Sequence, residues 1–278
     1  MPAIDLARLK KQCAQLADLF DRPDEFVRSL HGMLEFYVNH TMRDDGAVAP
    51  SSVLETYRTP PPILKHIENE LGPLAAARPS EALELADRLW DEGWLEMRLL
   101  AAILLGRIPP QEQRLLPRLT AWTSQVRDPS VRAALLSTSL ARLRRETPDR
   151  FLLLVGEWLN PERQRLWSNG IQALLPLIRD PEFTNLPPVF DILEHAVQAA
   201  PGAIQNDLAE TLNALYEASA TETIHFVRQA LEESESPMTA TTLRRILPQL
   251  QRELAEALRE QVKARAMAEI HSSAQTDS

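Results

Sequence analysis

The chain's five tryptophans, Trp90, Trp94, Trp122, Trp158 and Trp167, all fall within one stretch of sequence. That stretch is also rich in guanidinium groups, since residues 96–180 carry thirteen arginines against eight acidic residues, a net charge of +5. An aromatic ring beside guanidinium groups can stack on an exposed base or sugar while arginine contacts phosphate, so the pairing fits nucleic-acid binding. The side chains expected to carry it are Tyr57, Arg58, Trp122, Arg127, Arg132, Trp158, Arg163, Arg165 and Trp167. Trp158 and Trp167 are expected to be exposed, because Asn160-Pro161 breaks the chain between them and places both near helix ends. The competing account is that the rings fill the space between stacked helices while arginines line the solvated side. Only Lys10, Lys11, Lys65 and Lys263 are lysines among the 30 basic residues. Such a bias suits forked contacts to carboxylate or phosphate, although a GC-rich genome would produce it as well.

Other chemistry has thinner support. The six histidines, His31, His40, His66, His195, His225 and His271, never occur as HxxxH or HExxH. A helix-borne zinc site would therefore need ligands from remote segments. Cys13 is the single cysteine, which excludes an intramolecular disulfide, a Cys-based zinc site and a CxxC redox pair. There is no GxSxG elbow, no GxxxxGK[ST] loop and no GxGxxG turn. No metal and no cofactor, nucleotides included, is expected. The adjacent acids Asp44-Asp45 and Glu232-Glu233 read as solvated turn residues rather than an acid–base pair.

The elements that must position these residues are helical. With 278 residues, 44% of them hydrophobic, the chain can bury a sizeable core, and 8 glycines leave few of the turns an all-β protein needs. From about residue 79 onward, short amphipathic segments recur, each closed by Pro, Gly or Asp-Pro. Leading helices are expected at 96–108, 130–143, 163–178, 203–218 and 239–250, with starts 34, 33, 40 and 36 residues apart. Partner helices are expected at 112–122, 148–159, 186–197, 221–231 and 252–266. A period of this length belongs to a helical solenoid, in which successive hairpins share a continuous core and curve into a concave surface.

Ahead of the repeats, residues 4–40 read as one or two helices broken near Asp21-Arg22-Pro23-Asp24, with Asp21 as a cap and Pro23 in a first turn. Residues 41–62 are polar and proline-rich, a loop with room for one short helical turn at 51–57. The expected organisation is an N-terminal helical cap with this long loop (1–62), a repeat solenoid continuous with it (63–270) and a disordered polar tail (271–278). Charged residues interrupt every apolar run, so no membrane span is expected. The opening residues lack the features of a signal peptide, and the cytoplasm is the expected location.

Two resemblances sharpen this reading. Arg127-Asp128-Pro129-Ser130-Val131-Arg132-Ala133-Ala134 resembles the HEAT-repeat signature, with Asp128 placed to cap the helix that follows. The stretch 57–108 resembles the AlkD-like DNA alkylation-repair glycosylases, themselves built of HEAT-like repeats. Tyr57-Arg58-Thr59-Pro60, Ala86-Asp87-Arg88-Leu89-Trp90-Asp91 and Glu96-Met97-Arg98-Leu99-Leu100-Ala101-Ala102 carry the likeness, and Glu157-Trp158 and the Trp167 helix extend it over roughly 50–200. The resemblance implies an all-α, right-handed α-α superhelix of HEAT-like helical hairpins. It also exposes departures. Active members carry an aromatic–Asp cluster where this chain reads Gln125-Val126-Arg127-Asp128, and an arginine after the later tryptophan where this chain has Ser168.

The expectation is therefore a non-catalytic relative of these glycosylases that holds duplex DNA or another polyanion on an Arg/Trp-rich concave face. Two alternatives stand beside it. One is an active alkyl-base glycosylase using Asp128 or Glu162, with Trp122, Trp158 or Trp167 against the lesion. The other is a protein–protein scaffold, which the overall charge of −9 and the acidic 186–278 segment would suit.

Overall fold

The computed structural model describes residues 5–37, 52–234 and 238–276. Among these the regular structure is helical, and the one extended pairing is an isolated bridge between Glu55 and Trp94. The chain forms two compact units, Met1–Pro148 and Asp149–Ser278.

The first unit contains α1 (Leu6–Ala17), α2 (Pro23–Phe36), α3 (Pro61–Ala77), α4 (Pro79–Trp90), α5 (Leu95–Leu105), α6 (Leu115–Gln125), α7 (Pro129–Ala134) and α8 (Ala141–Glu146). Its helices alternate between two rows: α1 packs on α3, α3 on α5 and α5 on α7, while α2 packs on α4. The second unit contains α9 (Pro148–Trp158), which starts at the boundary, then α10 (Trp167–Ile178), α11 (Pro187–Ala199), α12 (Gln205–Ala218), α13 (Ala220–Glu233), α14 (Thr239–Ile246) and α15 (Arg252–Thr276). The same alternation recurs there, with α10, α12 and α14 in one row and α11, α13 and α15 in the other.

Proline explains many of the starts. It opens α2, α3, α4, α7 and α11 in the first turn, where a missing N–H costs nothing and the fixed φ is already helical. Between the prolines, leucine and alanine at helical spacing form the two cores.

Two local expectations are corrected. Asp21 is not the cap of α2; Arg22 occupies that position without a side-chain bond, and the carboxylate capping the N-terminal region belongs to Asp5 on α1. The short helical turn expected at 51–57 is absent from its described part, where the Val53 and Tyr57 amides bond Asp128 and Glu96 rather than helical carbonyls. At the other end of the chain, α15 continues to Thr276.

The helix expected at 130–143 is present but interrupted. Residues Leu135–Ser139 widen into a π-helical turn between α7 and α8, beside the C-terminus of α5. Ser139 Oγ donates to the Ala102 carbonyl at 2.7 Å, locking the bulge against α5. The approach is so close that a Cβ on Gly106 would fall well inside van der Waals contact with the Thr138 carbonyl oxygen. Gly106→Ala should therefore force α5 and the bulge apart and destabilise the protein by about 1–3 kcal/mol, read as a lower urea midpoint. Its φ of −69° suits alanine, so a neutral result would show that the two backbones are not held at this distance.

Candidate functional site

The best-built constellation lies in the first unit, where residues 52–59 form an extended strap across the N-termini of α5 and α7. Asp128 occupies the N-cap of α7, and its Oδ1 accepts from the Ser130 and Val131 amides at 2.9 and 3.0 Å. Its Oδ2 takes the Ser52 hydroxyl at 2.6 Å and the Val53 amide at 2.8 Å. The carboxylate is 2% exposed and has four donors. Burial alone would raise its pKa, but the hydrogen bonds from Ser52, Val131, Val53 and Ser130 outweigh that and hold it below the ordinary 3.8.

Glu96, in the first turn of α5 and 4% exposed, does the same one step along the strap. Its Oε1 accepts from Thr56 Oγ1 at 2.8 Å and the Thr59 amide at 3.3 Å, and its Oε2 accepts from the Tyr57 amide at 3.2 Å. Thr56 Oγ1 in turn accepts from the Arg58 amide at 3.0 Å. Wrapped round one carboxylate, this turn puts Arg58 at φ 53°, the only non-glycine with positive φ among the described residues. For a residue with a Cβ that region costs about 1–2 kcal/mol.

Below the strap, Tyr57 is buried and stacks on Trp94 with ring centroids 4.0 Å apart. Its hydroxyl meets His31 Nδ1, and His31 Nε2 lies 3.5 Å from Glu92, which also pairs with Arg88. Burial, reinforced by Glu35, Glu96, Glu92 and Glu55, pushes the Tyr57 phenol up to about 12, so it stays protonated. Trp90 and Trp122 form a second stack at 4.2 Å, and the Arg98 guanidinium lies over Trp90.

The residues expected at the site divide between the units. The first unit holds Tyr57, Arg58, Trp122, Arg127 and Arg132; Arg58 and Arg127 are exposed, Arg132 is half-buried, and Tyr57 and Trp122 are buried. The second unit holds Trp158, Arg163, Arg165 and Trp167. Arg163 and Arg165 are exposed on a 3-10 turn, Pro161–Leu166, as is Glu162. The exposure expected of Trp158 and Trp167 is not found: they are 0% and 2% exposed. A helix end does not imply solvent. Trp167 turns inward and donates Nε1–H to the Asn160 carbonyl at 2.9 Å, so the chain break at Asn160-Pro161 serves as the ring's polar partner.

Ser168, where the resemblance would place an arginine, donates to Asp207, which also accepts from Gln172 at 2.8 Å. Glu232 and Glu233 are exposed at the end of α13, whereas Asp44-Asp45 lies outside the described residues. Among the described residues, no three His, Cys, Asp or Glu side chains converge as metal ligands. None of the described helices is long and apolar enough to cross a membrane.

Sequence reasoning read Asp128 as a cap and missed its second role, and it missed Glu96 as an anchor altogether. A signal for Glu96 was present, in that α5 reads LEMRLLAAILL, with one acid among apolar residues at its start.

Rows of packed helices, with residues 52–59 pinned to the starts of α5 and α7, make the first unit an all-helical scaffold with one polar-anchored segment. The chain belongs to the DNA alkylation repair enzyme family, whose model matches residues 61–247, well over half of its length. Both strap anchors lie inside that match and the strap lies just before it. No curated protein and no solved structure is a significant match.

Asp128→Ala removes a helix cap and two strap bonds together, and should cost about 2–4 kcal/mol at neutral pH. Because the folded-state pKa is depressed, this contribution is present above about pH 3.8 and is lost as pH falls through the lower folded value. Urea unfolding of wild type and variant should show a constant gap from pH 7 to pH 5 that narrows toward pH 3. A gap that widens in acid would contradict the assignment.

Proposed function

We propose that this chain is a non-catalytic DNA-binding member of the alkylation-repair family. Its helical hairpins stack as HEAT-like repeats of a right-handed superhelix, and its arginines hold the backbone of duplex DNA, or another polyanion, in the cytoplasm. The observation that carries the reading is the state of Asp128. It is the sole acid at the place where active relatives are expected to keep their catalytic carboxylate, and here it is buried with both oxygens engaged by four donors. A carboxylate so occupied does not face a sugar, and a developing oxocarbenium ion would lack its main electrostatic support. Ser168, where active relatives are expected to carry an arginine after the later tryptophan, removes a phosphate-binding group as well.

Exposed Arg127, Arg163 and Arg165, together with half-buried Arg132, supply the cationic groups. The tryptophans take no part as open stacking platforms, since Trp122, Trp158 and Trp167 are all buried. Binding is therefore a matter of phosphate contacts rather than base stacking, and should depend steeply on salt.

On labelled duplex DNA between about 50 and 200 mM salt, wild type should lose affinity steeply. Replacing Arg127, Arg132, Arg163 and Arg165 with Ala should weaken binding and flatten the slope of log affinity against log salt by about 1 for each phosphate no longer neutralised. No alkylated base should be released from treated DNA. Base release would instead identify an active glycosylase. Absence of DNA binding at the lowest salt, with a protein partner co-purifying, would leave the scaffold reading.

A further inference from the structure

We propose that Arg58 contacts the DNA phosphate backbone and that Glu96 is the positioning residue that sets its conformation. The inference rests on the DNA-binding reading above and names a contact that reading leaves unspecified.

The strap is held differently from the rest of the first unit. Most of the chain is fixed by burying apolar side chains, but residues 52–59 bury only Tyr57, and Val53 is 73% exposed. What fixes the segment is polar. Two carboxylates, both nearly inaccessible, take five hydrogen bonds from it: Asp128 from Ser52 and Val53, Glu96 from Thr56, Tyr57 and Thr59. Burying charge is an unfavourable way to order a loop unless its geometry matters, because each carboxylate must be desolvated and then fully paired.

The geometry so fixed has one outlier. Amides on both sides of Arg58 are drawn to Glu96, and its own amide bonds Thr56 Oγ1, so the residue between them is driven to φ 53°. Glycine or asparagine would occupy this region more easily. The chain places there a long cationic side chain, exposed, while its neighbour Tyr57 is turned into the core. Backbone strain maintained by surrounding structure is a mark of functional sites, and the group it presents is a planar fork suited to phosphate.

Melting and DNA affinity read a role in the fold and a role in binding separately at this position. Glycine at 58 relieves the backbone strain while removing the side chain, so Arg58→Gly should keep the helical fold by circular dichroism yet bind duplex DNA about five- to tenfold more weakly. Its slope of log affinity against log salt should be shallower by about 1, the value for a single phosphate. Glu96→Gln offers an N–H where the turn needs an acceptor, and should weaken DNA binding through the same guanidinium. Combined with Arg58→Gly it should then add little, because its effect on binding runs through Arg58.

All measurements use the full chain, a labelled duplex and a salt series, with circular dichroism and melting to confirm folding. If wild type binds DNA with a steep salt slope and Arg58→Gly keeps both affinity and slope, the proposed contact is wrong while the DNA-binding reading stands. If Glu96→Gln weakens binding equally with and without Arg58, the positioning role is wrong. Failure of wild type to bind at the lowest salt would overturn the DNA-binding reading itself and this inference with it.

Discussion

A carboxylate taken out of water must be given donors, and in this protein two of them, Asp128 and Glu96, are given theirs by helix starts and an extended strap. Seven hydrogen bonds converge on the two groups, five from the strap and two from the first turn of α7. Removing any one donor leaves part of a buried charge unsatisfied, which is costlier than breaking a neutral surface bond. The start of α5, the start of α7 and the strap therefore hold or fail together. The stack of Tyr57 on Trp94 and the contact of its hydroxyl with His31 follow from where the strap is pinned.

The same constraint bears on the chemistry open to Asp128. An acid can stabilise a developing positive charge only if it faces the reacting sugar, and Asp128 is spent on backbone amides and a serine hydroxyl. The arginine-rich segment 96–180 carries less uncompensated charge than its net value implies. Arg118 pairs with Asp87, Arg107 with Glu68 and Arg179 with Glu210, all acids outside that segment. Ion pairs still in contact with water add little stability, but these neutralise charge that the segment's net value counts in full. Arg58 lies within the anchored strap and Arg127 directly precedes Asp128 in the chain, and both are exposed.

The helices were legible because their signals are local. Proline in a first turn, Asp-Pro before α7 and leucines three and four apart are read from neighbouring residues, and the expected leading and partner helices from 96 onward correspond to the observed ones. Asp128 as a cap was legible for the same reason, since its Oδ1 reaches only two and three residues ahead. The π-helical break at Leu135–Ser139 was not legible, because it answers to the C-terminus of α5 rather than to its own residues.

Sequence by itself thus determined that the chain is helical and where most helices begin, and it supplied the cationic and aromatic side chains. Tertiary structure decided which of them face solvent. Trp158 and Trp167 are buried despite lying at helix ends, because exposure depends on which face meets the neighbouring row, and a period of 3.6 residues does not fix that. It also decided what Asp128 and Glu96 do, since their strap donors lie 75 and 76 residues away for Asp128 and 37 to 40 for Glu96. Satisfying a buried charge is a requirement of the folded state, and only the folded state brings those donors within reach.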